Sequence, residues 1–272
     1  MKISRSILLI GCGKMGSAML SGWLESGIAG GGVFVVEPIG APAEFDGIGG
    51  VSVVADAEAL PRDLNPEVVV FAVKPQQMDD VAPEYKKFVG SETAFLSIAA
   101  GKDIAYFQSK LGEGASIVRA MPNTPAAIGQ GITVCCSNVA VSDDQRELCR
   151  SLLAATGEAV VVDDEDLIDA VTAVSGGGPA YVFLLIECLA AAGVAAGLPT
   201  DLSAKLALIT VAGSGQLALS SEEPPSVLRE NVTSPGGTTL EALKILMADD
   251  GLAPLMIRAI AAATQRSREL AG

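Results

Sequence analysis

The sequence predicts an α/β fold in residues 1–164, with a doubly wound parallel sheet, followed by an all-helical part in residues 165–272. Short apolar runs rich in Val and Ile alternate with helical patterns in the first part, which is typical of a parallel sheet covered on both faces. A glycine cluster directly follows the first of these runs. After Asp164 the β-type runs stop, and Ala, Leu, Glu and Gly dominate. A chain of 272 residues is long enough for two such domains.

The first part contains seven predicted strands and four predicted helices. The apolar runs predict strands at residues 6–10, 33–37, 68–73, 94–98, 116–119, 132–136 and 160–162. Helical spacing occurs at residues 14–26, 76–88, 104–111 and 143–156, the last opened by Ser142 as its N-cap.

The second part is predicted to be entirely helical. The helices are expected at residues 165–174, 180–196, 200–220, 225–232, 239–248 and 252–270. Residues 180–198 are apolar apart from Glu187 and contain the Gly193-x-x-x-Gly197 spacing, so their length alone would allow a membrane span. A charged residue within the run and the lack of a partner span favour a helix buried in a core or between subunits. We expect no membrane association.

Composition excludes several classes of function. The formal net charge of −14 opposes nucleic-acid binding, which needs clustered Lys and Arg. The absence of histidine rules out a histidine general acid and removes the commonest metal ligand, and no metal site is expected. The five cysteines are odd in number and lack zinc-ligand spacing, which favours buried free thiols and a cytoplasmic location.

The glycine cluster predicts a dinucleotide site. Its members, between the first strand and the first helix, are Gly11, Cys12, Gly13, Lys14, Met15 and Gly16. In such a Rossmann-type loop the first glycine permits the turn, the second admits the pyrophosphate, and the third lets helix and strand pack closely. The N-terminus of the helix then favours the phosphate charge.

Acidic residues near the second strand bear on the choice of cofactor. Glu37 follows the last glycine by about 20 residues, where an acid accepts a hydrogen bond from a ribose 2′-hydroxyl and repels a 2′-phosphate. Asp56 adds negative charge nearby, so these two residues favour NADH. Ligands of doubly wound sheets lie at the carboxyl ends of strands, where Lys74 and the small residues 99–101 could contact the cofactor. Lys74 could equally be a surface charge, and residues 99–101 could simply form a tight turn.

Three later segments begin or precede helices and carry polar groups. They are residues 121–125 (Met-Pro-Asn-Thr-Pro), 175–181 (Ser-Gly-Gly-Gly-Pro-Ala-Tyr) and 231–239 (Asn-Val-Thr-Ser-Pro-Gly-Gly-Thr-Thr). Backbone N–H groups at such helix starts can bind a carboxylate, although each segment could also be a simple helix cap.

Together with the glycine loop, these segments make the chain resemble the pyrroline-5-carboxylate reductase family over nearly its whole length. The likeness also includes residues 72–75 (Ala-Val-Lys-Pro), 99–101 (Ala-Ala-Gly) and 166–172 (Asp-Leu-Ile-Asp-Ala-Val-Thr). The resemblance implies reduction of the C=N bond of 1-pyrroline-5-carboxylate to L-proline by NADPH or NADH. It also implies a homodimer through the C-terminal helices, which in this family is often assembled further into a ring of dimers.

Site residues follow from the resemblance. Expected cofactor contacts are Gly11, Cys12, Gly13, Lys14, Met15, Gly16, Glu37, Asp56, Ala72, Val73, Lys74, Pro75, Ala99, Ala100, Gly101 and Asn123. Expected substrate contacts are Glu222, Asn231, Gly236, Gly237, Thr238 and Thr239, with the Thr239 hydroxyl as the catalytic group.

The sequence departs from the family pattern at three positions. Gly177 stands where many relatives have a second Ser, Glu37 where many have a small or basic residue, and Asp56 where Asn is common. The last two departures leave NADH and NADPH open. The remaining alternatives for function are a two-domain dehydrogenase of the β-hydroxyacid type, or a non-catalytic NAD(P)-binding regulator.

Overall fold

The computed structural model describes residues 3–271, which form two compact units. One unit comprises residues up to Gly176 together with the end of the last helix from Ala263, and the other comprises Gly177–Ala262. This division falls after Gly176, because the helical turn after Asp164 packs in the core of the first unit through the buried Ile168. The boundary of the functional domains after Asp164 remains a prediction.

The first unit is built on an eight-stranded sheet in the order β3-β2-β1-β4-β5-β6-β7-β8. The strands are β1 (Ile7–Ile10), β2 (Val33–Val36), β3 (Val51–Val54), β4 (Val68–Phe71), β5 (Ala94–Ser97), β6 (Ser116–Met121), β7 (Gly131–Ser137) and β8 (Gly157–Val161). All the predicted strands are present. The doubly wound sheet is confirmed, and its strands from β3 to β6 are mutually parallel.

Two features of the sheet differ from the sequence expectation. Strand β7 runs antiparallel to β6, and β8 pairs in parallel with β7. The short segment from Pro122 to Gln130 returns the chain beside β6, whereas a parallel crossover needs a dozen or more residues. The edge strand β3 was missed because its residues are only partly buried or exposed, which leaves no continuous apolar run.

Helices cover the sheet and complete the first unit. They are α1 (Lys14–Ser26), α2 (Met78–Val81), α3 (Ile104–Leu111), α4 (Asp143–Ala154) and α5 (Leu167–Val171). The predicted helix at residues 76–88 is instead α2 between two 3₁₀ segments, Pro75–Gln77 and Ala82–Phe88. Prolines at the start of both 3₁₀ segments explain this, since proline cannot donate to a regular helix.

Buried polar contacts tie the elements of the first unit together. The Arg119 side chain, 5% exposed on β6, donates to Glu165 Oε1 over 2.9 Å. The same Glu165 oxygen accepts from the Ile104 backbone N–H at the start of α3. Ser267 Oγ, near the chain's end, donates to Asp169 Oδ1 over 2.6 Å. Pairing and hydrogen bonding offset the cost of burying these groups.

The second unit is all-helical, as predicted, and its helices α6 and α7 are strongly apolar. The helices are α6 (Gly178–Ala195), α7 (Thr200–Ser220), α8 (Pro225–Asn231), α9 (Thr238–Leu246) and α10 (Leu252–Ala271), the last of which ends in the first unit. Gly193 lets α7 approach α6 closely, because a Cβ there would collide with Ser203, whose hydroxyl donates to Ala190 O. Gly197, at φ +97, follows the end of α6. Contacts and backbone conformation within this chain therefore account for both glycines of the Gly193-x-x-x-Gly197 pattern.

Most apolar side chains of α6 and α7 are exposed in the single chain. Phe183 is 59% and Ile209 62% exposed, whereas Ala207 and Ser203 are buried. Residues 180–198 are thus not buried in the core of one chain, and their burial between subunits stays a prediction. By length and composition, Leu167–Ala195 and Thr200–Ser220 could each cross a membrane, which is weak evidence because core helices pass the same test.

Candidate functional site

The glycine loop between β1 and α1 adopts a conformation that its glycines require. Gly11 has φ +92, and a Cβ at this position would lie 2.9 Å from the backbone of Ala72. A Cβ at Gly16 would collide with the carbonyl oxygen of Gly11. These two glycines therefore let the loop, β4 and the start of α1 pack together.

Gly13 is different, because a Cβ there would meet nothing within 4 Å. Its φ of −70 is open to other residues, so neither packing nor backbone conformation demands glycine. Open space over Gly13, at the N-terminus of the 13-residue helix α1, is what the close approach of a pyrophosphate needs. The loop therefore fits a dinucleotide, with the phosphates expected over Gly13.

Glu37 lies directly after β2 and binds this loop. The Cys12 backbone N–H donates to Glu37 Oε2 over 2.8 Å. Burial first, and then the carboxylates of Glu37 and Glu44, raise the pKa of the Cys12 thiol to about 11. Asp56 lies in the turn after β3, where its Oδ1 accepts from the N–H groups of Glu58 and Ala59.

A cleft of about 320 Å³ lies at the carboxyl ends of β4, β5 and β6. Of the predicted cofactor residues, it is lined by Met15, Ala72, Val73, Lys74, Pro75, Ala99, Ala100 and Asn123. Its walls are mainly apolar and polar groups are few, as expected for a site that holds a flat heterocycle. The position at strand ends is where doubly wound sheets bind their ligands.

The same cleft has five lining residues that were not among the predicted cofactor contacts. They are Ile98, Met121, Pro122, Thr124 and Gly176. Four of them belong to the two segments that the sequence analysis gave as possible carboxylate sites, residues 121–125 and residues 175–181. Ile98 follows β5 directly, where the strand-end rule could have found it. The sequence did not predict that Gly176 would end a π-helical turn, Thr172–Gly176.

Asn123 is held on both sides of its amide group. Its Oδ1 accepts from the Ile132 N–H over 3.0 Å, and its Nδ2 donates to Ser175 Oγ over 3.2 Å. It thereby joins the loop after β6 to β7 and to the π-helical turn. Its role as a cofactor contact remains a prediction.

Gly101 stands just beyond the cleft lining, at the end of β5. It has φ +68, and a Cβ there would lie 3.0 Å from Leu270 Cβ in the last turn of α10. Glycine is therefore required here by conformation and by packing against the chain's own C-terminal turn.

The predicted substrate residues lie in the helical unit, in the loops around α8 and at the start of α9. Gly236 has φ +71, and the Gly237 N–H donates to Ser234 O over 3.0 Å, which forms a tight turn before Thr238. Thr238 and Thr239 are exposed in the first turn of the nine-residue helix α9.

The other two predicted substrate residues are close to this turn in sequence and lie at the ends of α7 and α8. Glu222 is exposed in the segment between α7 and α8, and Asn231 Nδ2 donates to the neighbouring Glu223 Oε2 over 3.1 Å. The unit thus presents N–H groups, two hydroxyls, an amide and carboxylates on one short stretch of chain.

Comparison with known proteins agrees with both halves of this description. Residues 165–270 match the family model described as pyrroline-5-carboxylate reductase dimerisation. Residues 6–101 match the model described as NADP oxidoreductase, coenzyme F420-dependent.

Individual relatives extend the match to nearly the whole chain. The Pseudomonas aeruginosa pyrroline-5-carboxylate reductase is 42% identical over 268 residues, covering 97% of this chain and 96% of its own. The solved Coxiella burnetii reductase is 35% identical with a TM-score of 0.90, over 99% of this chain and 100% of its own. The Plasmodium falciparum enzyme, solved with NADP bound, is 30% identical with a TM-score of 0.84 over 100% of both chains. With a relative 42% identical along almost its full length, this chain belongs to the pyrroline-5-carboxylate reductase family.

Proposed function

We propose that this protein reduces the C=N bond of 1-pyrroline-5-carboxylate to give L-proline, the last step of proline biosynthesis, using NADH or NADPH. One observation supports it above the others: a dinucleotide-type glycine loop beside an apolar cleft occurs in a chain whose helical part carries a second, hydroxyl-bearing turn. The family's cofactor, when bound, supplies the hydride.

The chain's residues fit a reaction that needs little acid catalysis. A cyclic imine takes up a proton before reduction, so the hydride acceptor can arrive already protonated. The lack of histidine in the sequence is consistent with this chemistry. The protein then acts mainly by holding the reactants in position and by excluding competing geometries.

In the proposed roles, the first-unit cleft holds the nicotinamide end of the cofactor. The loop from Gly11 to Gly16 would hold the pyrophosphate over Gly13, while the walls around Val73 and Ala100 would enclose the ring. An apolar enclosure lined by backbone and small residues suits a ring that must lie flat.

The turn before α9 takes the substrate in this proposal. The unpaired N–H groups at the start of α9 would bind the ring carboxylate, as helix N-termini bind anions. The Thr239 hydroxyl would hydrogen-bond the ring nitrogen and fix its position. Asn231 and Glu222 would complete the substrate contacts.

The exposed apolar faces of α6 and α7 support assembly as a homodimer. Exposed apolar side chains that are contiguous on a surface mark interaction sites, and the matched family model is described as pyrroline-5-carboxylate reductase dimerisation. We propose that a second copy of this chain covers these faces and that such dimers assemble further into a ring. The enzyme acts in the cytoplasm and does not bind a membrane in this proposal.

The direct test is oxidation of NADH and NADPH by the purified protein with and without 1-pyrroline-5-carboxylate, with proline measured as the product. We expect turnover to depend on the pyrroline. Cofactor binding without turnover would favour the non-catalytic regulator, and turnover of a β-hydroxyacid instead would favour the other dehydrogenase.

A further inference from the structure

The Glu37 carboxylate is fixed in place at the edge of the cofactor loop. Its Oε2 accepts from the Cys12 N–H over 2.8 Å, and its own backbone N–H donates to Val54 O over 3.0 Å. The side chain is partly buried. One carboxylate oxygen thus holds the loop, which leaves Oε1 to accept from another donor.

The surroundings of Glu37 are acidic. The sequence contains no Lys or Arg between Met15 and Pro61, a stretch that includes all of β2 and β3. Glu44 is close enough to raise the pKa of the Cys12 thiol, together with Glu37. Asp56 adds a further carboxylate after β3, although its Oδ1 is used by its own turn. A dianionic group placed here would meet like charges without a compensating cation from this stretch.

Lys14 is the nearest basic residue along the sequence, and it does not reverse this argument. It begins α1 and is exposed, at the end of the loop where the pyrophosphate is expected. The pyrophosphate is common to NADH and NADPH, so a contact with it does not separate the two. The difference between them lies only at the 2′ position of the adenosine ribose.

We propose that Glu37 makes this enzyme prefer NADH, by accepting a hydrogen bond from the ribose 2′-hydroxyl through Oε1 and repelling a 2′-phosphate. The proposal rests on the proposed function only in that the glycine loop holds a nicotinamide dinucleotide. In this preference for NADH, the chain would differ from the Plasmodium falciparum relative, which was solved with NADP bound. The Cys12 N–H, a donor that a 2′-phosphate could otherwise use, is already taken by Glu37.

Calorimetric titration of the full-length protein tests the preference without turnover. The probes are NADH, NADPH, ADP-ribose and 2′-phospho-ADP-ribose, so that the last pair isolates the 2′ group. Like-charge contacts cost several kcal/mol, and each 1.4 kcal/mol is tenfold in affinity, so we expect the phosphorylated member of each pair to bind about 10²-fold more weakly. Added salt should narrow the difference.

Glu37→Gln is the informative variant, because glutamine keeps an oxygen acceptor for the Cys12 N–H and removes the charge. We expect NADPH to bind about tenfold more tightly or better, with a smaller change for NADH. Glu58→Gln removes the same charge from an exposed turn and serves as the control, with no expected change in the NADH to NADPH ratio.

The outcomes separate this inference from the proposed function. Equal binding or a preference for NADPH in the unmodified protein overturns the inference, and so does a Glu37→Gln variant with an unchanged ratio. A preference for NADH in a protein that does not reduce 1-pyrroline-5-carboxylate would confirm the inference and contradict the proposed function.

Discussion

At the scale of the residue, a hydroxyl group is proposed for the role that histidine often fills, since this chain has no histidine. Thr239 is the proposed partner of the substrate nitrogen, and it is exposed at the start of α9. Its hydroxyl is required for hydrogen bonding in this proposal, whereas the helix does not depend on it.

Thr239→Ala should lower kcat/KM for 1-pyrroline-5-carboxylate by about 10²-fold, because a contact made in the transition state is lost. Steady-state kinetics with saturating cofactor measure this effect. Thr239→Ser retains the hydroxyl and should stay within about tenfold of the unmodified enzyme. The dissociation constant for NADH should be the same in all three proteins, and full activity of the alanine variant would remove Thr239 from the mechanism.

The cysteines should be almost inert in the folded protein. Burial raises the pKa of Cys12 to about 11, of Cys135 to about 11 and of Cys136 to about 12, while Cys149 is also shifted upward and Cys188 is exposed. At pH 8, three units below a pKa of about 11, roughly one Cys12 thiol in a thousand is ionised, and only thiolates react quickly.

A colorimetric thiol reagent at pH 8 should therefore find at most one fast-reacting cysteine per native chain, and five after unfolding. Reactivity should rise as the pH approaches 11, because deprotonation of the raised-pKa thiols begins there. Rapid modification of Cys12 at pH 8, mapped by mass spectrometry, would contradict the burial of its side chain.

At the scale of the element, the glycines in the loop between β1 and α1 differ in what the structure requires of them. Gly16 is needed for packing against Gly11, whereas Gly13 faces open space. The sequence pattern already predicts a separate role for each glycine, and the structure adds the contacts by which Gly11 and Gly16 are required for packing.

Gly13→Ala should leave the free energy of unfolding within about 0.5 kcal/mol of the original, because its φ of −70 accepts alanine. It should nevertheless weaken NADH binding by about tenfold or more, since the Cβ enters the space expected for the pyrophosphate. Gly16→Ala is the matched comparison and should destabilise the fold by about 1–3 kcal/mol. Urea unfolding measures the stability of the two variants, and titration with NADH measures their affinity for the cofactor. If Gly13→Ala leaves the NADH affinity unchanged, the phosphates do not lie over Gly13.

Elements with strong local signals could be predicted from the sequence, and those set by the surroundings could not. The bounds of α1, α3 and α7 agree with their predicted ranges, because apolar periodicity and the flanking residues act locally. Strand β3 and the π-helical turn before α6 were missed, since partial burial and local helix geometry depend on what packs around them. In the site, the glycine loop was readable from its spacing, whereas the contact from Cys12 to Glu37 required the fold.

At the scale of the whole molecule, the apolar surface of α6 and α7 dominates the behaviour of the isolated chain. Phe183 on α6 and Ile209 on α7 are both more than half exposed. Leaving such a surface in water is unfavourable by about 25 cal/mol per Å² of apolar area, which drives association. The protein should therefore exist as a dimer or larger assembly at micromolar concentration.

Phe183→Glu should shift the protein toward monomer, because it places a charge on the proposed interface without changing the first unit. Light scattering coupled to size-exclusion chromatography, with circular dichroism as a check on folding, measures the result. Val139→Glu alters a fully exposed apolar residue between β7 and α4, and it should leave the assembly unchanged. A monomeric unmodified protein would contradict the proposal that a second copy covers these helices.

The account as a whole requires that the first glycine loop binds the hydride donor and that the turn before α9 binds the hydride acceptor. The most direct measurement supplies NADH with both hydrogens at nicotinamide C4 replaced by deuterium, together with 1-pyrroline-5-carboxylate, and locates the label by mass spectrometry. We expect one deuterium on the ring carbon next to nitrogen in the product proline, formed about 10²-fold more slowly by Thr239→Ala. Proline without deuterium, or no proline from a protein that binds NADH, would contradict the account.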